Sequence, residues 1–460
     1  MPIWDQRAET MSDDERAALQ TQRLGALLRR LADASPFYKR RLAGAGVDAE
    51  ARVTLDDLAA LPFTTKADLW DHYPWGLLAV PREQVVRVHG SSGTGGRPTL
   101  VAYSRGDLAL WAEVCARALG CAGAAPGTLV HNAYGYGLFT GGLGMHQGAE
   151  LMGCTLVPVS GGQTQRQVTL IHDLKPEVLC CTPSYAARLG EALAEAGVAK
   201  DEISLRAGIF GAEPWSEAMR AQIEAVLPLK ALDIYGLSEI IGPGVSCECV
   251  EAQAGVPQPH RDEGVRCSLH VNEDHFLVEV IDPDTGAPLP PRTRGELVFT
   301  TLTKEAMPLL RYRTGDIAAL DRTPCVCGRT LARMSKVFGR VDDMLVIRGV
   351  NVYPSEVEAV VVAARAVAPH YLLVVDRTET MPKLVVACEL AADWTVGAET
   401  EEGERERVAA EVGAALLERL GLTTEVRVLP GGTIPRVELG KAQRVVDRTR
   451  EHDPLRELSE

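Results

Sequence analysis

Three sets of residues in this chain have types and spacings that suit chemistry. The stretch "HGSSGTGGRPT", His89 to Thr99, packs glycines and hydroxyl residues around one arginine. Glycines let backbone N–H groups turn toward an anion and hydroxyls add donors, which suits a polyphosphate. The Walker spacing is not met, Arg97 stands where a lysine would be required, and a Gly/Ser surface turn has the same composition. In the second set Cys247 and Cys249 form C-E-C, Cys325 and Cys327 form C-V-C-G, and His260, Cys267 and His270 lie between. Two close cysteine pairs separated by a longer span suit a tetrahedral zinc site. Cys249, His270, Cys325 and Cys327 are the best four, with Cys247, His260 and Cys267 as alternates; a group of reduced, half-buried thiols has the same pattern. The third set is scattered: Glu239 in "YGLSE", Asp316 in "RYRTGD" and Lys441 in "ELGKAQR". Taken singly these read as a helix N-terminal acid, a turn residue and a solvated lysine.

The elements that must position these groups follow from length and pattern. A chain of 460 residues exceeds what one hydrophobic core supports, so two or more domains are expected. With 46% apolar and 24% charged residues the composition is that of an ordinary soluble protein. The net charge of −14 argues against nucleic acid and anionic membranes as partners, so a polyanionic ligand must meet a locally positive pocket. No charged-then-apolar leader opens "MPIWDQRAETMSDDERAALQ" and no run of eighteen apolar residues occurs, which points to the cytoplasm. Eleven cysteines then read as reduced thiols or metal ligands rather than disulfides.

Residues 13–32 carry apolar positions at helical spacing behind Ser12, a helix with its N-cap. Apolar runs such as "LVHNAYGYGLF", "CTLVPVS" and "EVLCCTPS" then alternate with amphipathic segments, predicting parallel strands covered by helices, with ligands at the strands' carboxyl ends. From about residue 265 the pattern switches to antiparallel strands and hairpins, "LHVNEDHFLVEVIDPDTGAPLP" and "GELVFTTLT". After Asp342 a strand, turn and helix precede "HYLLVVDR", "KLVVACEL", the helix "ERERVAAEVGAALLERL" and the strand "EVRVLP", a compact α+β unit. The Glu-rich interval "TVGAETEEGERE" reads as a solvated loop leading into that helix.

"GAEPW" (211–215), "DIYGLSE" (233–239), "RYRTGD" (311–316), "GRVDDMLVIRGVNVYPSEVE" (339–358) and "PRVELGKAQR" (435–444) follow the opening loop in an order that resembles the adenylate-forming superfamily of acyl-CoA synthetases and adenylation domains. "WDHYPWGLLAVPREQVVRVHGSSGTGGRPT" and "HNAYGYGLFTGGLGMHQGAE" look like its phenylacetate–CoA ligase branch. The resemblance implies an α/β fold: a large N-terminal domain (1–341) of parallel and mixed sheets flanked by helices plus a β-rich subdomain, and a small mobile α+β domain (342–460).

It further implies residue roles. Ser91, Ser92, Gly93, Thr94, Gly95 and Gly96 match the flexible loop over the β- and γ-phosphates of ATP; Gly95 and Arg97 replace a threonine and a lysine usual in the family, keeping the charge with a wider fork. Glu239 matches the acid that holds Mg2+, and Asp316, with Arg340, the group that accepts from the ribose hydroxyls. Gly211, Ala212, Glu213 and Pro214 match the adenine-side wall, with Asp233, Tyr235, Gly236 and Ser238 beside it. Lys441 matches the lysine that bridges the acyl carboxylate and the α-phosphate, and Asp342 the hinge about which the C-terminal domain turns between half-reactions. Tyr134, Tyr136, Phe139 and Gly141 would line an aryl-acid slot. The implied activity is ATP-dependent formation of an aryl-AMP followed by thioester formation with coenzyme A. A carrier-protein thiol as acceptor and adenylate binding without catalysis stay open on sequence, and a homodimer is the default assembly.

Overall fold

A computed structural model describes the chain apart from residues 1–2, 52, 92–97, 254–264, 342–344, 348–349, 379–381, 392–393, 395–399, 437–443, 450–451 and 458–460. Ser92, Gly93, Thr94, Gly95, Gly96, Arg97, His260, Asp342 and Lys441 therefore lie outside the described residues. The first long helix, Asp13–Ala34, starts where its cap predicts: Glu15 N–H donates to Ser12 Oγ at 3.3 Å and Ser12 N–H to Glu15 Oε2 at 2.9 Å, a closed capping box.

A nine-stranded sheet forms the centre. Its order runs Leu320–Asp321, Arg333–Ser335, Cys267–Val271, Ser246–Glu248, Lys230–Tyr235, Ala207–Gly211, Val178–Cys181, Leu129–Asn132, Thr155–Val157. The last five are parallel, each joined to the next in sequence through a helix, and the other four are antiparallel. The strand Val178–Cys181 is buried along its whole length, as a strand covered on both faces must be, and its residues are apolar throughout. The helices Arg105–Cys121 and Gly141–Met152 pack so closely that a Cβ at Gly148 would lie 2.5 Å from Cys115 Cβ and one at Gly144 2.6 Å from Trp111. Gly144 and Gly148 of "GGLGMHQG" thus serve helix–helix contact.

A second, antiparallel sheet carries Phe276–Ile281, Gly295–Thr301, Tyr312–Ala318 and Gly339–Arg340. The C-terminal unit has its own sheet, ordered Glu425–Leu429, Lys383–Leu390, Val367–Asp376, Val445–Arg448, packed by the helices Pro354–Ala363 and Glu401–Leu420. That second helix begins earlier than the sequence reading placed it. Thr400 caps it, and Glu401, Glu402 and Glu404 occupy its first turn, where the helix dipole favours acids; part of the Glu-rich interval is helix rather than loop. Among the described residues no helix is long and apolar enough to cross a membrane.

Candidate active site

The site gathers at the carboxyl end of the strand Lys230–Tyr235, in the middle of the sheet. Four residues beyond it, the short turn Ser238–Ile240 carries Glu239, which is buried. The hairpin Arg87–Ser91 with Thr99–Tyr103 aims its tip at this turn: Ser91, the last described residue of the phosphate-loop stretch on that side, donates from Oγ to Glu239 Oε1 at 3.4 Å. Ser238 lies within 3.4 Å of the Thr140 hydroxyl.

Tyr235 Oη donates to Asp316 Oδ2 at 2.7 Å, and Arg340 Nη1 to Asp316 Oδ1 at 3.2 Å. Asp316 and Arg340 are cross-strand partners in the antiparallel sheet, so the β-rich subdomain delivers both to the strand end that bears Tyr235. Both oxygens of the Asp316 carboxylate are thus held in place.

Along "GAEPW", Gly211 ends its strand so close to the neighbouring one that a Cβ would lie 2.3 Å from the Ile234 carbonyl oxygen. Ala212 adopts a left-handed φ of +73°, and Glu213 Oε1 accepts the Ser184 N–H at 2.8 Å, at the start of the helix Pro183–Glu195. Gly236 packs against the Gly242–Pro243 backbone, where a Cβ would meet Gly242 Cα at 2.6 Å. Asp233 is buried, and burial pushes its carboxyl up to about 7, with the Lys336 ammonium pulling the other way. Its N–H donates to Glu248 Oε2 at 2.8 Å, and Lys336 stands 3.4 Å above the Trp215 ring centre.

Of the residues suggested for the aryl slot, Tyr134 is buried and donates from Oη to the Ile209 carbonyl at 3.3 Å. Tyr136 Oη accepts from Asn132 Nδ2 at 2.8 Å and meets His146 Nδ1 at 3.1 Å; burial pushes its phenol up to about 12. Gly141 fits beneath the Tyr134 ring, where a Cβ would come to 3.3 Å, while Phe139 and Leu138 are exposed. Asn132, at the end of the strand Leu129–Asn132, donates from Nδ2 both to Tyr136 Oη and to the Gly142 carbonyl oxygen at 2.8 Å.

Two residues beside Glu239 went unread in the sequence. Lys304 is fully buried, donates to the Glu239 carbonyl oxygen at 2.7 Å, and is pushed down to about 8 by burial. Tyr103 donates to the Ser238 carbonyl oxygen at 2.7 Å. Lys304 stands between Thr303 and Glu305 in the connector that leads to "RYRTGD", where a lysine carries no signal of burial.

The cysteine cluster assembles as its spacing suggested. One donor atom each from Cys249, His270, Cys325 and Cys327 lies within 4.8 Å of the others. The Cys249–Cys325 Sγ separation is 3.9 Å and Cys327 Sγ to His270 Nε2 is 3.5 Å. A tetrahedron with Zn–S bonds near 2.3 Å has edges of roughly 3.7 Å, whereas a disulfide would need about 2.05 Å. His270 Nδ1 faces the Cys247 carbonyl oxygen at 3.2 Å, which turns Nε2 toward the sulfurs, the usual orientation of a metal-bound imidazole. Ala252 N–H and Arg329 Nη1 donate to Cys249 and Cys327 sulfurs at 3.4 and 3.6 Å. Cys267, three residues before His270 on the same strand, points to the other face and donates to the Ala319 carbonyl at 3.7 Å; Cys247 pairs with Cys121. A second acidic group, Glu113, Asp274 and His275, is closed by Arg117, which binds Asp274 bidentately at 2.8 and 3.0 Å. It is an ion-pair network.

Residues 17–302 match the family model of the AMP-binding enzymes, and residues 349–449 match that of the AMP-binding enzyme C-terminal domain. The chain is 51% identical over 458 residues to a phenylacetate-coenzyme A ligase from Thermus thermophilus, covering 97% of this chain and 99% of the relative. This chain belongs to the AMP-binding enzymes, in their phenylacetate–CoA ligase branch. The solved structure of a 2-hydroxyisobutyryl-CoA ligase in its postadenylation state superposes on this ligase with a TM-score of 0.87 at 28% identity, covering 98% of this chain and 94% of the other. The same enzyme with CoA in its thioesterification state gives 0.70 at 29% identity, over 97% and 93% of the two chains. The arrangement of the two units here is therefore nearer the postadenylation one.

Proposed function

We propose that this enzyme activates a phenylacetate-like aromatic acid with ATP, releasing pyrophosphate, and transfers the acyl group from AMP to the thiol of coenzyme A. The observation that carries the reading is the meeting of Ser91, Glu239, Tyr235, Asp316 and Arg340, from distant segments, at one strand end. The high identity to a phenylacetate-coenzyme A ligase over the full chain supports the acid and the acceptor.

In the first half-reaction the acid's carboxylate attacks the α-phosphorus, a P–O bond forms, and the bond to pyrophosphate breaks. Catalysis of such a step is positioning plus stabilisation of charge on phosphate oxygens. Asp316, held by Tyr235 and Arg340, accepts from the ribose hydroxyls, and Asp233 stands beside the adenine wall built on Gly211 to Pro214. Lys441 brings an ammonium to the acyl carboxylate and α-phosphate. One buried carboxylate beside a hydroxyl, Glu239 with Ser91, fits Mg2+, which takes one or two carboxylates plus phosphate oxygens and supplies neutralising charge when bound. In the second half-reaction the C-terminal unit turns about Asp342, withdrawing Lys441; the CoA sulfur attacks the acyl carbon and AMP leaves. Tyr136, fixed by Asn132 and His146, suits one wall of an aryl slot.

Zinc is part of the same proposal: Cys249, His270, Cys325 and Cys327 would hold it, pinning the 325–327 loop to the antiparallel edge of the central sheet. The free thiols suit a reducing compartment, the cytoplasm. The test is a pyrophosphate-release screen over phenylacetate, hydroxyphenylacetates, benzoates and cinnamates, with mass analysis for acyl-CoA. Phenylacetate or a close ring variant giving stoichiometric acyl-CoA supports the reading; release with aliphatic acids alone contradicts it.

A further inference from the structure

We propose that Lys304 and Tyr103 are positioning residues for the first half-reaction: together they hold the turn that carries Glu239 against the bound polyphosphate. The inference rests on the reading of Glu239 as the Mg2+-holding acid.

A three-residue 3-10 turn cannot satisfy its own carbonyls, and buried carbonyls need partners. Here the turn's closing bond, Ile241 N–H to Ser238 O, is long at 3.5 Å. Ile241, a β-branched residue, sits just after it at a φ of +68°, a conformation that persists only where surrounding contacts impose it. The contacts are Tyr103 Oη on the Ser238 carbonyl and Lys304 Nζ on the Glu239 carbonyl, both at 2.7 Å. They also touch each other, the ammonium lying 5.2 Å from the Tyr103 ring centre.

Each is itself fixed from behind. Tyr103 stacks on Trp111 at 5.4 Å, and Trp111 Nε1 donates to the Pro243 carbonyl at 3.0 Å beyond the turn. The chain after Lys304 is anchored by buried Asp107, whose carboxylate accepts the Glu305 and Ala306 N–H groups at 2.6 and 3.0 Å. The same connector runs on into the strand Tyr312–Ala318 that bears Asp316, so one segment sets the place of both the metal-holding turn and the ribose-binding carboxylate. A neutral donor would satisfy one carbonyl; a lysine also puts positive charge behind a carboxylate that must face a polyanion.

The test uses full-length Lys304→Met, Tyr103→Phe, Glu239→Gln and the Lys304→Met/Glu239→Gln double variant. Acid-dependent ATP–pyrophosphate exchange is measured across Mg2+ concentration, and thioester formation is measured from supplied phenylacetyl-AMP and CoA. Lys304→Met should lower exchange roughly 10- to 100-fold and raise the Mg2+ needed for half-maximal rate several-fold, with thioester formation within about threefold of wild type. Tyr103→Phe, which keeps the ring, should act in the same direction by roughly 3- to 10-fold and decides the matter if Lys304→Met does not fold. Because both residues act through Glu239, the double variant should fall no further than Glu239→Gln alone by more than about twofold. Parallel loss of both half-reactions, full additivity, or normal exchange with a normal Mg2+ requirement would overturn the inference. An impaired Glu239→Gln beside a normal Lys304→Met sinks this inference alone; an unimpaired Glu239→Gln sinks the Glu239 reading as well.

Discussion

The Glu358 carboxylate couples the C-terminal unit to the segment that follows "GAEPW", and weakening that tie should separate the two half-reactions. Glu358, on the helix Pro354–Ala363, is buried; Oε1 accepts the Ser216 N–H at 2.7 Å and Oε2 accepts the Tyr371 hydroxyl. Ser216 directly follows "GAEPW" and caps the helix Glu217–Val226. Two weaker ties lie nearby: Gln222 Nε2 donates to the Val362 carbonyl at 3.1 Å, and His370 Nε2 meets Glu191 Oε1 at 2.9 Å. The rotation proposed above would break all three. Glu358→Gln keeps the shape and still accepts from Ser216, but turns a charge-assisted bond into a neutral one. Such bonds contribute about 1.5–3 and about 0.5–1.5 kcal/mol respectively, so the arrangement seen here loses about 1–1.5 kcal/mol. That is roughly a 5- to 13-fold shift in the ratio of the two arrangements. Rapid-quench measurement of pyrophosphate release in the first turnover should slow by about that factor, while thioester formation from supplied phenylacetyl-AMP holds or quickens. Equal slowing of both steps, or no change in either, would refute the reasoning.

Three further outcomes are expected. Purified enzyme should carry about one zinc per chain, and Cys325→Ser should lose it and melt several degrees lower by calorimetry, since each kcal/mol moves the midpoint by about 2–4 °C in a domain of about 150–250 residues and by less in a larger unit. Asp233 titrates near 7 in the fold against 3.8 for an ordinary side chain, so the native state holds an extra proton between those values. Its contribution to stability is complete below about pH 4 and is lost as pH rises through 7; Asp233→Asn should therefore melt relatively higher than wild type at pH 8 than at pH 5. In wild type the KM for ATP should also break near pH 7, and the break should vanish in Asp233→Asn. Lys441→Ala should abolish pyrophosphate release yet leave thioester formation from supplied phenylacetyl-AMP largely intact, as followed by chromatography of both products.

The strand–helix alternation was legible because apolar runs with few polar interruptions mark buried parallel strands, and the capping box at Ser12 and Glu15 is written locally. The four clustered Cys and His donors could be ranked from spacing, but the choice among seven needed strand faces: Cys267 and His270 differ by an odd number of positions and so diverge. Lys304, Tyr103 and Lys336 were not legible. A lone lysine in a connector has no periodic signature, and its burial is decided by segments two hundred residues away in sequence, as between Lys304 and Tyr103. The tight packing of the glycines after the slot segment was not legible either: a Cβ at Gly142 would come within 2.6 Å of the Gly135 carbonyl oxygen. Glu358 lay in a recognised stretch, yet its partner Ser216 is set by how two units meet, which no local pattern encodes.

The most direct test of the account omits CoA at first. Enzyme, Mg2+, ATP and phenylacetate are mixed, the enzyme-bound fraction is quenched, and CoA is then added to a parallel sample. The account predicts one pyrophosphate and one bound phenylacetyl-AMP per active site, converted to phenylacetyl-CoA and AMP only when CoA arrives. Pyrophosphate release without an acyl-adenylate, or thioester formed with no adenylate preceding it, would contradict it.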